Sequence, residues 1–252
     1  MIKELEGMII YKIAVMTDVH ANLPAIISVL EDIKKEKCHR IYHVGDAIGI
    51  GAFPKETLEV MLREKIIMIM GNHEKYYLSK ELKLPANTTQ GEIDHHKWVK
   101  RELDTKYTKV VSEFPVLLKE QLNGLNIGFM HYVPDPKAKD SSDFKEVKID
   151  LNEKNIDLFF KMDGYDIIFY GHQHHPLFEC YGEKKGIHYI NPSALGCQVG
   201  NFANYCILEI YENGYNIVHK KIAYDKHKAI EALDVRNVPA KEYIKKVFYG
   251  VD

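Results

Sequence analysis

The chain has 252 residues, 46% hydrophobic and 28% charged, which is ordinary for a globular protein with one large α/β domain. Its net charge of -2 gives no sign of a surface for bulk nucleic-acid binding. No apolar run approaches the length of a membrane span, and the N-terminal residues lack a signal-peptide pattern. The four cysteines show no CxxC spacing, which favours a reduced, cytoplasmic protein over a disulfide framework. The 13 histidines are the unusual count, and they point to metal or proton chemistry.

The first half of the chain predicts strands that alternate with helices. The run at 9–16 is apolar and rich in β-branched residues, which predicts a strand buried on both faces. Apolar residues at helical spacing follow it, and Pro24 falls where a first helical turn tolerates proline. The predicted elements are strands at 9–16, 40–44 and 66–70 and helices at 23–37 and 55–64. This order favours a sheet with helices on its faces.

Residues 81–114 interrupt the alternation with a two-helix pattern that Thr88 or Thr89 opens, and we expect a helical, cap-like insertion there. The segment 74–83 before it predicts a solvated helix. The remaining predicted elements are hairpins at 116–132, 177–191 and 205–224, a loop at 132–150, a helix near 151–162, a strand at 166–170 and a helical tail at 225–252. Because the chain has no internal repeat and no linker, we expect residues 1–252 to form a single domain.

Polar side chains follow five of the apolar runs, at the point where each run ends. They are Asp18 and His20, then Asp46, then Asn72 and His73, then His131, and finally His172 and His174. Ligands of α/β sheets bind at the carboxyl ends of the strands, so these side chains predict one site. Mixed imidazole and carboxylate donors are typical of hydrolytic metal sites. Apart from the extra His73, seven ligands remain, and they suit two ions ~3.5 to 4 Å apart, bridged by one aspartate with one oxygen on each ion.

The same residues lie in short motifs that occur in a fixed order. The motifs are DVH at 18–20, GDAIGIG at 45–51, GNHE at 71–74, MH at 130–131 and GHQH at 171–174. Together they resemble the calcineurin-like metallophosphoesterase superfamily over about residues 12–196, in particular its small bacterial and archaeal phosphodiesterase-like branch. The resemblance implies an α/β fold, a four-layer α/β/β/α sandwich of two mixed sheets flanked by helices. It also implies a metal site at the carboxyl ends of the strands.

The resemblance assigns a role to each of these side chains. It implies one divalent ion held by Asp18, His20, Asp46 and His174, and a second held by Asp46, Asn72, His131 and His172. A hydroxide between the ions would attack phosphorus in line with the leaving oxygen. His73 would stabilise the transition state or protonate the leaving group. We expect Mn²⁺ first, with Fe, Zn, Ni or Co as alternatives.

Several histidines and the single tryptophan have roles that the motifs leave open. The candidates for contact with substrate are His95, His96, Trp98 and His175. Trp98 either stacks on a nucleobase or, as we favour, anchors its helix to the core. His172 and His174 alternate along a segment that we expect to be extended, so a bend would present one to each metal. We expect His43 to be a hydrogen-bonded core residue, and His188 and His219 to be ordinary strand or surface residues.

The leading functional prediction is an enzyme, a binuclear metal-dependent phosphoesterase. A small phosphodiester or nucleotide-type molecule is the preferred substrate, and a dinucleoside polyphosphate is among the candidates. Phosphomonoesters stay open because position 73 is histidine, and phosphoproteins are a further alternative. A non-catalytic scaffold with the same fold is the competing class. Loss of metal ligands would mark a scaffold, and every expected ligand is present in the sequence.

Overall fold

Two mixed sheets face each other in a computed structural model of the protein, which describes residues 8–81, 84, 88–135, 137, 144, 145, 147, 148, 150–175 and 177–251. The strands are β1 (Tyr11–Met16), β2 (Arg40–His43), β3 (Ile67–Met68), β4 (Leu117–Leu122), β5 (Leu125–Met130), β6 (Ile167–Phe169), β7 (Phe178–Tyr181), β8 (His188–Asn191), β9 (Phe202–Tyr211) and β10 (Gly214–Ala223). The helices are α1 (Leu23–Glu36), α2 (Pro54–Arg63), α3 (Asn72–Leu78), α4 (Gln90–Leu103), α5 (Thr108–Ser112), α6 (Ile156–Phe160), α7 (Lys226–Val235) and α8 (Lys241–Tyr249).

The order of the strands brings their carboxyl ends together. The first sheet has the order β10-β9-β1-β2-β3, in which β1, β2 and β3 are parallel. The second has the order β4-β5-β6-β8-β7, in which β5, β6 and β8 are parallel. A parallel bridge between Thr17 and Ala194, just beyond β1 and β8, joins the two sheets at this edge. The loops that carry the predicted site residues therefore meet on one side of the molecule.

Three apolar cores separate four layers. Between the sheets, the ring of Tyr42 stacks on that of Phe129 at 4.1 Å, and Phe169 continues the stack at 5.6 Å. A second core lies between the first sheet and its helices, and a third lies beside α6 on the second sheet. The α/β/β/α sandwich of two mixed sheets is thus confirmed. Burial of each large apolar side chain stabilises it by about 1.5 to 3 kcal/mol.

Most of the predicted helices and hairpins are present with small shifts at their ends. The hairpin of β4 and β5 turns at Asn123 and Gly124, as predicted. β3 is shorter than the run at 66–70, because it pairs with β2 alone and the backbone N–H of Met70 instead donates to Pro115. In the loop predicted at 132–150, residues 136, 138–143, 146 and 149 lie outside the described residues. None of the helices in the described part of the chain combines the length and apolarity needed to cross a membrane.

The described part of the insertion at 81–114 consists of α4 and α5. Thr89 begins α4, because its side chain accepts a hydrogen bond from the backbone N–H of Glu92, whose carboxylate accepts one from the backbone N–H of Thr89. The helix then packs against α2 and α3. This contact places α4 beside the residues that follow β3. That residues 1–252 form one domain stays a prediction.

Candidate metal centre

The seven predicted ligands meet at the carboxyl ends of β1, β2, β3, β5 and β6, in two neighbouring groups. Asp18, His20 and His174 form one group, and Asp46, His131 and His172 form the other, each with one potential ligand atom per residue within 4.8 Å of the others. His20, Asp46 and His73 meet the same criterion and form a set that overlaps both groups. In the first group, the Nε2 atom of His174 lies 2.8 Å from that of His20 and 3.2 Å from Asp18 Oδ1. In the second, Asn72 Oδ1 lies 2.9 Å from His172 Nδ1 and 3.1 Å from His131 Nε2.

Asp46 lies between the two groups and faces both with the same oxygen. Its Oδ2 atom is 3.8 Å from His20 Nε2 and 3.2 Å from His131 Nε2. Its Oδ1 atom instead accepts a 2.9 Å hydrogen bond from the backbone N–H of His73, one of the unpaired donors in the first turn of α3. That Asp46 gives one oxygen to each ion stays a prediction, and the hydrogen bond at the helix terminus leaves Oδ1 a second lone pair.

The backbone at the site adopts conformations that side chains other than glycine rarely take. Asp18, His20, Asp46, His172 and His174 have φ angles of 52°, 46°, 61°, 73° and 52°. Left-handed residues of this kind cost about 1 to 3 kcal/mol each and persist where the surrounding structure enforces them. The expectation of an extended segment at 172–174 is wrong, since both histidines lie in this left-handed region. The two histidines nevertheless face different groups, His174 the first and His172 the second.

Two glycines allow the loops to approach each other closely. A Cβ atom on Gly71 would lie 2.2 Å from Asp46 Oδ1, and one on Gly171 would lie 1.9 Å from Thr17 Oγ1. Thr17 donates a 2.7 Å hydrogen bond to Asp18 Oδ2, and the backbone N–H of His172 donates to the same oxygen at 3.1 Å. The glycines therefore let neighbouring loops fix the orientation of the carboxylates.

The donor set fits divalent cations. Asp18 Oδ1 is buried, and no described group donates a well-aligned hydrogen bond to it. Burial acts to raise the pKa of Asp18, but His174 and His20 hold it well below its usual range. Burial acts in the same way on Asp46, whose pKa His131 and His73 keep below its usual range. Both carboxylates are therefore anionic. Metal–ligand distances of ~2.0 to 2.2 Å place neighbouring ligand atoms about 3 Å apart, similar to the distances found here.

The tautomer of one histidine is set by its backbone contact. Nδ1 of His131 lies 2.9 Å from the carbonyl oxygen of Val44, so the N–H at Nδ1 donates to this oxygen. The Nε2 atom of His131 lies 3.2 Å from Asp46 Oδ2 and 3.1 Å from Asn72 Oδ1, where it would bind a metal ion after losing its proton. A hydrogen bond of this type on the remote nitrogen is the usual way in which a metal-binding histidine is oriented.

Glu74 is a structural part of the site that the sequence analysis missed. It is 1% exposed, so the prediction of a solvated helix at 74–83 is wrong for this residue. Its Oε2 atom accepts from the backbone N–H groups of Asp46 and Gly71, and its Oε1 atom accepts from those of Ala47 and Ile48. One carboxylate thus holds the loop that carries Asp46. A glutamate at the third position of a helix is the signal that points to such a role.

His73 lies between the two groups and a cleft of about 250 Å³. The centroid of its ring is 4.9 Å from that of His20 and 5.3 Å from that of His96. The cleft begins at Asn72 and His73, with α4 on one side and α8 on the other. A group esterified to a phosphate at the ligand groups would thus pass His73 on its way into the cleft.

The candidates for substrate contact have different surroundings. His96 lines the cleft and is half-buried. His95 also lines it, but is 4% exposed, and its Nε2 atom accepts a 2.8 Å hydrogen bond from the backbone N–H of Ile50. Trp98 is 7% exposed in the core between helices and sheet, the position that the anchoring alternative predicts. His175 is half-buried next to His174.

One expectation about the other histidines needs correction. His43 is fully buried, but neither ring nitrogen has a hydrogen-bond partner among the described residues, so it is not the hydrogen-bonded core residue expected. His188 and His219 are strand residues, and their Nε2 atoms lie 3.1 and 2.7 Å from the carboxylate of Glu179. The two histidines hold the pKa of Glu179 at about 2. They thus join β7 and β8 to β10 of the other sheet.

The fold and the donor set together define a metal-dependent phosphoesterase. The chain belongs to the calcineurin-like phosphoesterase superfamily, because the sequence model of the "Calcineurin-like phosphoesterase superfamily domain" matches residues 11–213. A curated relative, uncharacterized protein MJ0912 of Methanocaldococcus jannaschii, is 29% identical over 241 residues, which are 90% of this chain and 93% of the relative.

Solved structures share the fold over nearly the whole chain. A metallophosphoesterase from Sphaerobacter thermophilus is 20% identical, with a TM-score of 0.73, over 96% of this chain and 99% of its own. Hypothetical protein PH1004 from Pyrococcus horikoshii is 15% identical, with a TM-score of 0.79, over 96% of this chain and 100% of its own. At these identities the likeness shows the fold alone.

Proposed function

We propose that the chain hydrolyses small phosphodiesters with two divalent metal ions that share Asp46. The observation that supports this proposal most is the position of Asp46 Oδ2, which faces His20 and His131 at the same time. In the proposal, Asp18, His20, Asp46 and His174 hold one ion, and Asp46, Asn72, His131 and His172 hold the other. Mn²⁺ is the first choice, with Fe, Zn, Ni and Co as alternatives, because the affinity order and the cellular supply of metals decide more than the type of ligand does.

When bound, the ions supply an activated hydroxide and neutralise charge on the phosphoryl oxygens. The protein residues orient the substrate and handle the proton on the leaving oxygen. In this proposal, His73 lies over the phosphate and either donates a hydrogen bond to a phosphoryl oxygen or protonates the leaving group. Its position between the ligand groups and the cleft supports this role.

Hydrolysis of phosphomonoesters is the second candidate activity, and the histidine at position 73 supports it. A phosphoprotein is a weaker candidate, because a cleft of about 250 Å³ has room for one small substituent of a phosphate and not for an extended peptide chain. A non-catalytic scaffold is the weakest reading, since all seven side chains expected as ligands lie in the two groups.

A panel assay tests the proposal. Purified protein is incubated with Mn²⁺, Fe²⁺, Zn²⁺, Ni²⁺ or Co²⁺, and with methyl 4-nitrophenyl phosphate, 4-nitrophenyl phosphate, a dinucleoside polyphosphate or a phosphopeptide. We expect metal-dependent turnover of the diester with the highest kcat/KM. A higher value for the monoester would favour the second candidate. Absence of hydrolysis for every substrate with every metal would refute an enzymatic function.

A further inference from the structure

The cleft beside the metal centre is walled by aromatic rings. Tyr76 and His96 lie on the side of α3 and α4, with ring centroids 4.9 Å apart in an edge-on arrangement. Tyr243 and Phe248 lie on the side of α8, with centroids 6.3 Å apart. The ring of Phe248 is also 6.0 Å from that of His174, so this wall reaches the metal centre. Aromatic side chains in such a position bind planar rings by stacking.

The cleft carries little charge to attract a further phosphate. Burial lowers the pKa of His95 to about 3 and that of His96 to about 4, so both are neutral at pH 7. Glu92 also lines the cleft, and the lining contains no lysine or arginine among the described residues. A second phosphate in the cleft would lose water without gaining a cation, which is unfavourable. An uncharged group would enter the cleft without this cost of lost hydration.

The wall formed by α8 lies outside the region that defines the family. The family match ends at residue 213, whereas α8 spans Lys241–Tyr249. The helix is fixed in place, because Ile244 and Tyr249 are buried and Lys245 contacts Asp234 of α7 at 2.7 Å. Tyr243, in contrast, is 53% exposed and lines the cleft. The anchored helix thus presents a ring to the cleft from outside the residues that the family model matches.

We propose that this cleft binds a planar, uncharged aromatic group of the substrate, attached through an ester oxygen, and that α8 determines this preference. The inference rests on the proposed function, because the phosphate of the same molecule lies at the metal centre. Both a nucleobase and a simple aryl ring have the required chemistry. Within the substrate classes considered, diesters with a single phosphate and one aromatic substituent are favoured over polyphosphates, whose further charges would lie near Glu92.

Binding of two phosphonates tests the preference without hydrolysis, because their P–C bond is not an ester. Calorimetry with the Mn²⁺-loaded protein compares phenylphosphonate with methylphosphonate. Stacking of one ring predicts that the phenyl compound binds ~5- to 150-fold more tightly. Tyr243→Ala should reduce this ratio at least several-fold, whereas Tyr243→Phe, which keeps the ring, should retain it. Val247→Ala on the same helix is the control, because Val247 is 46% exposed and lies outside the cleft lining.

Hydrolysis by the wild-type protein distinguishes a nucleobase from a simple aryl ring as the group in the cleft. It also distinguishes failure of the inference about the cleft from failure of the proposed function. Thymidine 5′-(4-nitrophenyl phosphate) and methyl 4-nitrophenyl phosphate have the same leaving group, so a higher kcat/KM for the former indicates a nucleobase, and equal values indicate a simple aryl ring. Equal binding of the two phosphonates, or an unchanged ratio in the Tyr243→Ala, Phe248→Leu double variant, would overturn the inference about the cleft. If phenylphosphonate binds more tightly than methylphosphonate but no ester is hydrolysed, the proposed function is overturned and the inference about the cleft stands.

Discussion

Replacing Glu74 with glutamine tests how the loop that carries Asp46 is held. The wild-type carboxylate accepts four backbone hydrogen bonds, from Asp46 and Gly71 at 2.9 Å each through Oε2, and from Ala47 at 2.9 Å and Ile48 at 3.2 Å through Oε1. Glutamine keeps the shape but has one acceptor oxygen and one NH₂ donor. In either orientation of the amide, two of the four buried N–H groups face a donor.

The expected loss of stability depends on whether metal is bound. Two buried donors without acceptors cost ~1 to 3 kcal/mol each, which gives about 2 to 6 kcal/mol. In the metal-free protein, burial and Asp46 raise the pKa of Glu74 to about 7, so its ionised form carries a penalty of about 3 kcal/mol that glutamine removes. Without metal, the net effect is then between a gain of about 1 kcal/mol and a loss of about 3 kcal/mol. Divalent cations beside Asp46 would remove the penalty, so the loss with metal should approach the full value.

Denaturant unfolding with chelator and with Mn²⁺ measures both values. Glu92→Gln is the matched control, because Glu92 also lies at the third position of a helix, is only half-buried, and accepts from the backbone N–H of Thr89. Glutamine preserves that capping contact, so the control should change the free energy of unfolding by no more than about 0.5 kcal/mol. Equal effects of the two substitutions, with no dependence on metal, would refute the argument.

Three further predictions address single side chains. Asp46→Asn should lower occupancy of both metals together, because Oδ2 faces both groups; metal analysis checks this, and two fully occupied sites would contradict it. His73→Ala should keep both metals, since its hydrogen bond to Asp46 comes from the backbone, and lower kcat by ~10² to 10⁴, most for poor leaving groups. Metal content and a leaving-group series check this, and loss of metal would make His73 a ligand. Trp98→Ala should lower the free energy of unfolding by ~3 to 5 kcal/mol without altering substrate preference, because Trp98 is buried in the core. His96→Ala, in contrast, should raise KM for aromatic diesters, because His96 lines the cleft. Melting curves and kinetics of both variants check this, and a changed preference in Trp98→Ala would contradict it.

The strands and the edge at which the site lies could be predicted because they depend on local patterns. The apolar run of β1 and the turn at Asn123 and Gly124 specify their own structures. Once the strands are placed, the parallel order of β1 and β2 brings Asp18 and Asp46 to the same edge of the first sheet without further information.

The details of the site could not be predicted because they depend on contacts between distant parts of the chain. The left-handed conformations of His172 and His174 arise where loops from both sheets meet, and neither position is itself a glycine, the residue that usually signals such a conformation. The oxygen that Asp46 presents is chosen by a hydrogen bond from His73, 27 residues away. The wall formed by α8 depends in part on Tyr249, whose hydroxyl lies 3.5 Å from Asn22 at the start of α1. No local pattern relates these residues.

Stepwise reconstitution with metal tests the central claim most directly. The chelator-treated protein is given increasing equivalents of Mn²⁺, and bound metal and the rate of diester hydrolysis are measured on the same samples. Two ions that share Asp46 predict no activity without metal and a rate that rises until two ions are bound per chain. Full activity with a single bound ion, or in the presence of excess chelator, would contradict the binuclear centre.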